Sequence, residues 1–249
     1  MTFNPVNFFV VVVFAVLMVA FWFINQRREG VHLRDIPSFY KLKGTVELAV
    51  EDGTRIHVAI GRGDVLSPRG AAALVGLSML REITMVASES DHPPLATAGD
   101  GLLGILAQDT MRSTAMALNL PSGYDPNLGQ VTGLTPFSYS AGVMPLIFDE
   151  NVSANLLIGS FGNEVALITS AGERSQTRTV AGTDSLPGQA ILYATAHEPL
   201  IGEEMYAGGA YLGAGPMHEA SLHAQDVFRW VIAVLITLFA IAGLIQGLF

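Results

Sequence analysis

The chain is 249 residues long, half of them hydrophobic and only 14% charged, against roughly 25% charged in ordinary soluble domains. That composition excludes a disordered chain, which needs the reverse. The absence of cysteine excludes disulfide scaffolds, thiolate metal sites, iron–sulfur clusters and a cysteine nucleophile. A formal charge of −9 argues against nucleic acid as a partner, since neutralising phosphates needs a basic face.

Phe8–Ile24 is an unbroken apolar run. At ~1.5 Å per residue it covers most of a ~30 Å hydrocarbon layer. Residues 1–7 hold no Lys or Arg, and no small-residue cleavage pattern follows, so the run reads as an uncleaved anchor. Arg27, Arg28, Arg34, Lys41 and Lys43 follow it. Trp230–Phe249 is a second apolar run, with Arg229 just before it and no charge after it. Positive residues stay on the cytoplasmic side. The expectation is a two-pass inner-membrane protein with both termini outside and the middle of the chain in the cytoplasm. Trp22 and Trp230, at the inner ends of the two runs, would mark the interface. The expected parts are an anchor over 1–29, an acidic domain over 30–225 and a membrane helix over 226–249.

Within the middle segment, Thr45–Val50 alternates apolar and polar residues. Glu51-Asp52-Gly53-Thr54 supplies a turn, and Arg55–Ile60 alternates again. This pattern predicts a β-hairpin. Ser67 and Pro68 then open a helix, as N-cap and first helical residue, that runs to Ala87. The elements expected next are a strand over 94–98, a helix over 101–118, a turn-rich stretch containing Pro121 and Gly123, and a strand over 131–134. A helix over 137–148, a strand over 153–158, a helix over 163–174, a strand over 177–181 and a helix over 186–196 follow. Pro199 opens a last helix, to Leu212. Strands alternating with helices predict βαβ units. The fold class is therefore α/β: a layered domain with a mostly parallel, Rossmann-like sheet preceded by a hairpin and flanked by two membrane helices.

Gly99-Asp100-Gly101-Leu102-Leu103-Gly104 matches G-x-G-x-x-G between a strand and a helix, the pattern that lets a pyrophosphate approach a helix N-terminus. Asp100 would repel a phosphate, and its alternative role is to cap the helix. Gly159, Ser160 and Gly162 end one strand, and Thr183, Asp184 and Ser185 follow another. Such residues either line a crevice at the strand ends or cap the next helices. His218 and His223 are five residues apart. That is about 140° round a helix, so they do not make a metal pair, and His197 has no partner at ligand spacing. No metal site is expected. Asp100, Glu203 and Glu204 are the carboxylates open to acid–base work, although acidic residues also favour helix starts. Glu198 belongs to the same cluster. Gly243 and Gly247 form G-x-x-x-G, and Ala233 and Thr237 form a small pair at the same spacing, a pattern suited to helix association in lipid.

Ser153–Gly162 (SANLLIGSFG), Glu198–Gly213 (EPLIGEEMYAGGAYLG) and His218–Trp230 (HEASLHAQDVFRW) together resemble a family of bacterial membrane proteins that carries a domain-of-unknown-function label. That family is associated with filamentous green non-sulfur bacteria and their relatives. The resemblance covers most of residues 30–249. It implies a membrane protein with a cytoplasmic α/β domain and transfers no catalytic residue. The functional expectation is a membrane-tethered scaffold or assembly subunit that self-associates through its domain and membrane helices. The alternatives are a nucleotide- or small-ligand-binding sensor, and an enzyme using the carboxylates above.

Overall fold

The computed structural model describes residues 5–26, 33–63, 65, 70–87, 90, 92–119 and 124–248. Arg27, Arg28, Ser67, Pro68, Pro121 and Gly123, which carry expectations above, lie outside that set, as do the surroundings of Gly247. The chain forms two compact units: Met1–Arg34 with Gly215–Phe249, and Asp35–Ala214.

The first unit is a pair of helices, α1 (Pro5–Asn25) and α9 (Pro216–Leu248). Both are long and apolar enough to cross a membrane. One stripe of α1, including Phe14, Leu17, Met18 and Phe21, is half-buried against α9, at the three- and four-residue spacing of a single helix face. On α9 the buried positions are Ala220 and Ala224, one turn apart. Their small side chains let the helix axes approach closely. From Arg229 to Leu244 every residue of α9 is exposed.

The second unit opens with a correction. Residues 45–50 are not a hairpin arm. They belong to a helix, α2 (Pro37–Glu51), with Pro37 in its first turn. Phe39, Leu42, Thr45, Val46 and Ala49 are its buried residues, and that spacing is helical. The apparent alternation fails at Leu48, which is 53% exposed. The Asp-Gly pair ends this helix. Gly53, at φ +63°, takes the left-handed position of a Schellman motif. Its N–H donates to the Val50 carbonyl, and the Thr54 N–H donates to the Ala49 carbonyl.

The remaining elements are β1 (Arg55–Gly61), α3 (Gly70–Val86), β2 (Leu95–Ala98), α4 (Gly101–Ala117), β3 (Gly129–Val131), α5 (Pro136–Asp149) and β4 (Val152–Ser160). They continue as α6 (Val165–Arg174), β5 (Arg178–Thr183), α7 (Leu186–Thr195), β6 (Glu198–Leu200) and α8 (Gly208–Leu212). Pro199 therefore sits inside an edge strand and does not open a helix. A 3-10 turn over Gly202–Ala207 separates β6 from α8. An edge strand tolerates a proline because one row of its N–H groups has no neighbour to serve.

All six strands are parallel, in the order β3-β2-β1-β4-β5-β6. Helices α3 and α4 pack on one face, joined by α2 and α8; α5, α6 and α7 pack on the other. Covering both faces explains why the central strands are buried nearly end to end. It also explains the low charge of this unit, since few helix positions reach solvent on more than one side. The core beneath α5–α7 includes Val143, Ile147, Leu157, Phe161, Ile168 and Leu192.

Candidate functional site

The strand order reverses direction between β1 and β4. The chain winds outward one way from β1 through β2 to β3, and the other way from β4 through β5 to β6. Connections leaving neighbouring strands in opposite directions open a crevice at their carboxyl ends. Four strand ends therefore lie in a row, carrying Gly99, Arg62, Ser160 and Asp184.

Backbone bonds fasten this row. The Gly99 N–H donates to the Gly61 carbonyl at 2.9 Å, and the Arg62 N–H donates to the Ser160 carbonyl at 3.0 Å. Gly61 has φ +71°, and a Cβ there would lie 2.7 Å from the Ser160 carbonyl oxygen. Only glycine meets both demands. The Arg62 side chain lies across Gly99, in the space a Cβ on Gly99 would need.

Several expected site residues have structural duties here. Asp100 caps α4, accepting from the N–H groups of Leu102 at 2.9 Å and Leu103 at 3.3 Å. Gly101 faces open space, so nothing requires glycine there for close approach. Gly104 lets α4 pack on Val131, and Gly159 lies against the Ile60 carbonyl at the irregularity of β1. The Gly162 N–H donates to the Glu164 carboxylate at 2.9 Å. Thr183 ties β5 to β4: its hydroxyl donates to the Phe161 carbonyl at 3.0 Å and accepts from the Phe161 N–H at 2.9 Å. Ser185 precedes α7 without capping it through its side chain.

Two polar atoms at the crevice remain unspent. Arg62 Nε and one Asp184 carboxylate oxygen (Oδ1) are buried and have no hydrogen-bond partner among the described residues. Burial, and then the charge of Asp184, raise the pKa of Tyr206, which places that phenol in the field of Asp184. The carboxylates proposed for acid–base work are not gathered. Asp100 follows β2, whereas Glu203 and Glu204 follow β6, with three strands between them. Glu198 is engaged with Lys41 Nζ at 2.6 Å. His197 accepts from the Thr179 N–H at 3.1 Å, and the His223 ring sits 5.5 Å from that of Phe21. Among the described residues no group of three metal-type ligands occurs. Ala233, Thr237 and Gly243 are exposed on α9. A groove of about 260 Å³ lies elsewhere, between α2 and α3, with Lys43, Glu47 and Glu82 in its walls.

Below the crevice runs a buried polar chain that the sequence reading missed. His57, in the middle of β1, contacts the Asn155 side-chain oxygen through Nδ1 at 2.7 Å and the Thr97 hydroxyl through Nε2 at 2.9 Å. The Thr97 hydroxyl lies 3.1 Å from the Tyr139 hydroxyl. An amide oxygen only accepts, so Nδ1 carries the proton and Nε2 accepts from Thr97. Tyr139 then donates to Thr97. Burial lowers the His57 pKa to about 4, against the smaller opposing effect of the Asn155 hydrogen bond. Burial also pushes the Tyr139 phenol well above its ordinary value, and one opposing contact is the Gly61 backbone. The chain thus reaches from the core to the floor of the crevice. One signal was available: a histidine and an asparagine interrupt otherwise apolar strands, at positions that become neighbours once β1 and β4 pair.

A family model described as a domain of unknown function, DUF6754, matches residues 1–249. The chain belongs to the DUF6754 family. For this DUF6754 chain, neither the comparison with curated proteins nor that with solved structures finds a match. The functional reading therefore rests on the geometry of the DUF6754 fold itself.

Proposed function

We propose that this protein is a bilayer-anchored α/β domain that binds a small charged ligand, of the nucleotide or small-anion class, at the β1/β4 switch point. The observation that carries the reading is the pair of unspent buried atoms, Arg62 Nε and Asp184 Oδ1. Leaving a charged group's polar atom buried without a partner costs stability, and a ligand bridging the crevice would recover it. Arg62 suits a phosphate or carboxylate, and Asp184 suits a hydroxyl or amine. The α1–α9 pair attaches the domain to the membrane. The basic residues after α1, including Arg34, Lys41 and Lys43, support a cytoplasmic position.

Thermal shift in detergent, with a panel of nucleotides and phosphorylated metabolites, tests the reading. The expected result is a rise in Tm with at least one compound that Arg62→Gln abolishes. No rise with any compound, or an equal rise in the variant, overturns it.

A second reading, a self-associating scaffold or assembly subunit, is favoured by one observation. Val131, Leu134 and Phe137 stand exposed in succession where β3 passes into α5, and clustered exposed apolar groups often mark interaction surfaces. Mass photometry of the extracted protein decides it. A strictly monomeric particle removes it.

A further inference from the structure

The two apolar runs are out of step. Phe14 of α1 lies beside Phe228 of α9, with ring centroids 5.9 Å apart. Phe21 lies beside His223 at 5.5 Å. The helices are therefore antiparallel, and the middle of the α1 run faces the polar half of α9, not its apolar half. Extending this register puts Pro5 level with about residue 237. The centres of the two runs are displaced by about 20 Å, most of a ~30 Å hydrocarbon layer. Trp22 and Trp230, expected to mark one interface, differ in depth by about 12 Å.

One bilayer cannot be centred on both runs. Centring it on α1 takes Glu219, Asp226 and Arg229 into hydrocarbon, where Asp226 and Arg229, paired at 3.3 Å, have side chains 58% and 49% exposed. It also leaves about a dozen residues at the apolar end of α9 in water beyond the far face. Centring it on 230–248 takes in no ionisable residue. Only one side of α1, carrying Val16, Val19 and Phe23, is then left outside. Ionised groups are the costlier misplacement.

We propose that α9 crosses the bilayer with residues 230–248, while α1 enters it only with its N-terminal half and keeps its C-terminal half on the polar stretch of α9. This rests on the membrane attachment proposed above and replaces two complete crossings by one.

The chain has no cysteine, so single-cysteine variants read depth directly. Asn7→Cys, Val19→Cys and Phe249→Cys are treated, in sealed vesicles of both orientations, with a membrane-impermeant maleimide. Labelling in detergent gives the reference for full reactivity. The expected pattern is Val19→Cys labelled from the same side as the domain, Phe249→Cys from the opposite side, and Asn7→Cys from neither. Labelling of Asn7→Cys from the far side, or protection of Val19→Cys, overturns the single crossing. Release of the protein by alkaline carbonate would instead overturn membrane attachment itself.

Discussion

His57 Nδ1 lies 2.7 Å from the side-chain oxygen of Asn155, across the boundary between β1 and β4. This bond links the two strands on which the sheet reverses direction, at a depth no water reaches: His57 is 0% and Asn155 1% exposed. Both partners are polar groups that an apolar core accepts only when bonded.

The first prediction concerns acid. The His57 pKa falls from 6.5 to about 4 in the fold, so the unfolded chain binds the extra proton. This contribution is complete above pH ~6.5 and is lost as pH falls toward 4. The shift corresponds to about 3 kcal/mol. Thermal melts between pH 7.5 and 4.5 should show Tm falling below pH 6.5, and His57→Gln should flatten that part of the curve. An unchanged slope in the variant would assign the acid sensitivity to other groups.

Asn155→Leu tests the same bond from its other end. It removes the acceptor and leaves the His57 N–H buried without a partner, for a loss of about 1–3 kcal/mol. Urea unfolding should show a lower midpoint with unchanged slope. A neutral result would mean that His57 finds another acceptor.

Thr183→Val keeps the shape and removes the hydroxyl that serves both the N–H and the carbonyl of Phe161. Loss of both bonds at a buried site should cost about 1–3 kcal/mol. Hydrogen exchange should rise first at Phe161 and Ser185, whose amides donate to that hydroxyl. A uniform rise across the sheet would contradict a local tie.

Gly61→Ala and Gly101→Ala form a pair. At Gly61 the positive φ and the nearby Ser160 carbonyl penalise a methyl group, by about 1–3 kcal/mol. At Gly101 nothing lies within 4 Å of a new Cβ, and the change should stay within about 0.5 kcal/mol. Melting both variants separates strand-end geometry from motif matching. Equal destabilisation would restore the G-x-G-x-x-G sequence to importance.

Much of the α/β alternation was legible in sequence because β4 and α4 carry the periods of their own elements. The Pro145 inside α5 did not hide that helix either. Residues 45–50 misled because Val46, Leu48 and Val50 alternate within a stretch too short to separate the two periods, and because Asp-Gly ends a helix as readily as it turns a hairpin. That error had a further effect. Reading Arg55–Ile60 as the return arm of a hairpin concealed that β1 is the central strand of the sheet. Gly61-Arg62-Gly63, which follows it, is the first strand-to-helix turn of the sheet only when β1 is central. Strand order is set by long-range pairing, which periodicity does not encode, so the neighbourhood of Arg62, Gly99 and Asp184 could only be seen in the fold.

Both outermost strands, Gly129–Val131 and Glu198–Leu200, are three residues long, and the second has Pro199 at its centre. Neither margin offers enough free backbone to template another strand. Margins this short disfavour joining copies by continuing one sheet into the next. That leaves contacts between side chains, whose geometry point mutations can tune one residue at a time, as the route the sheet margins do not disfavour.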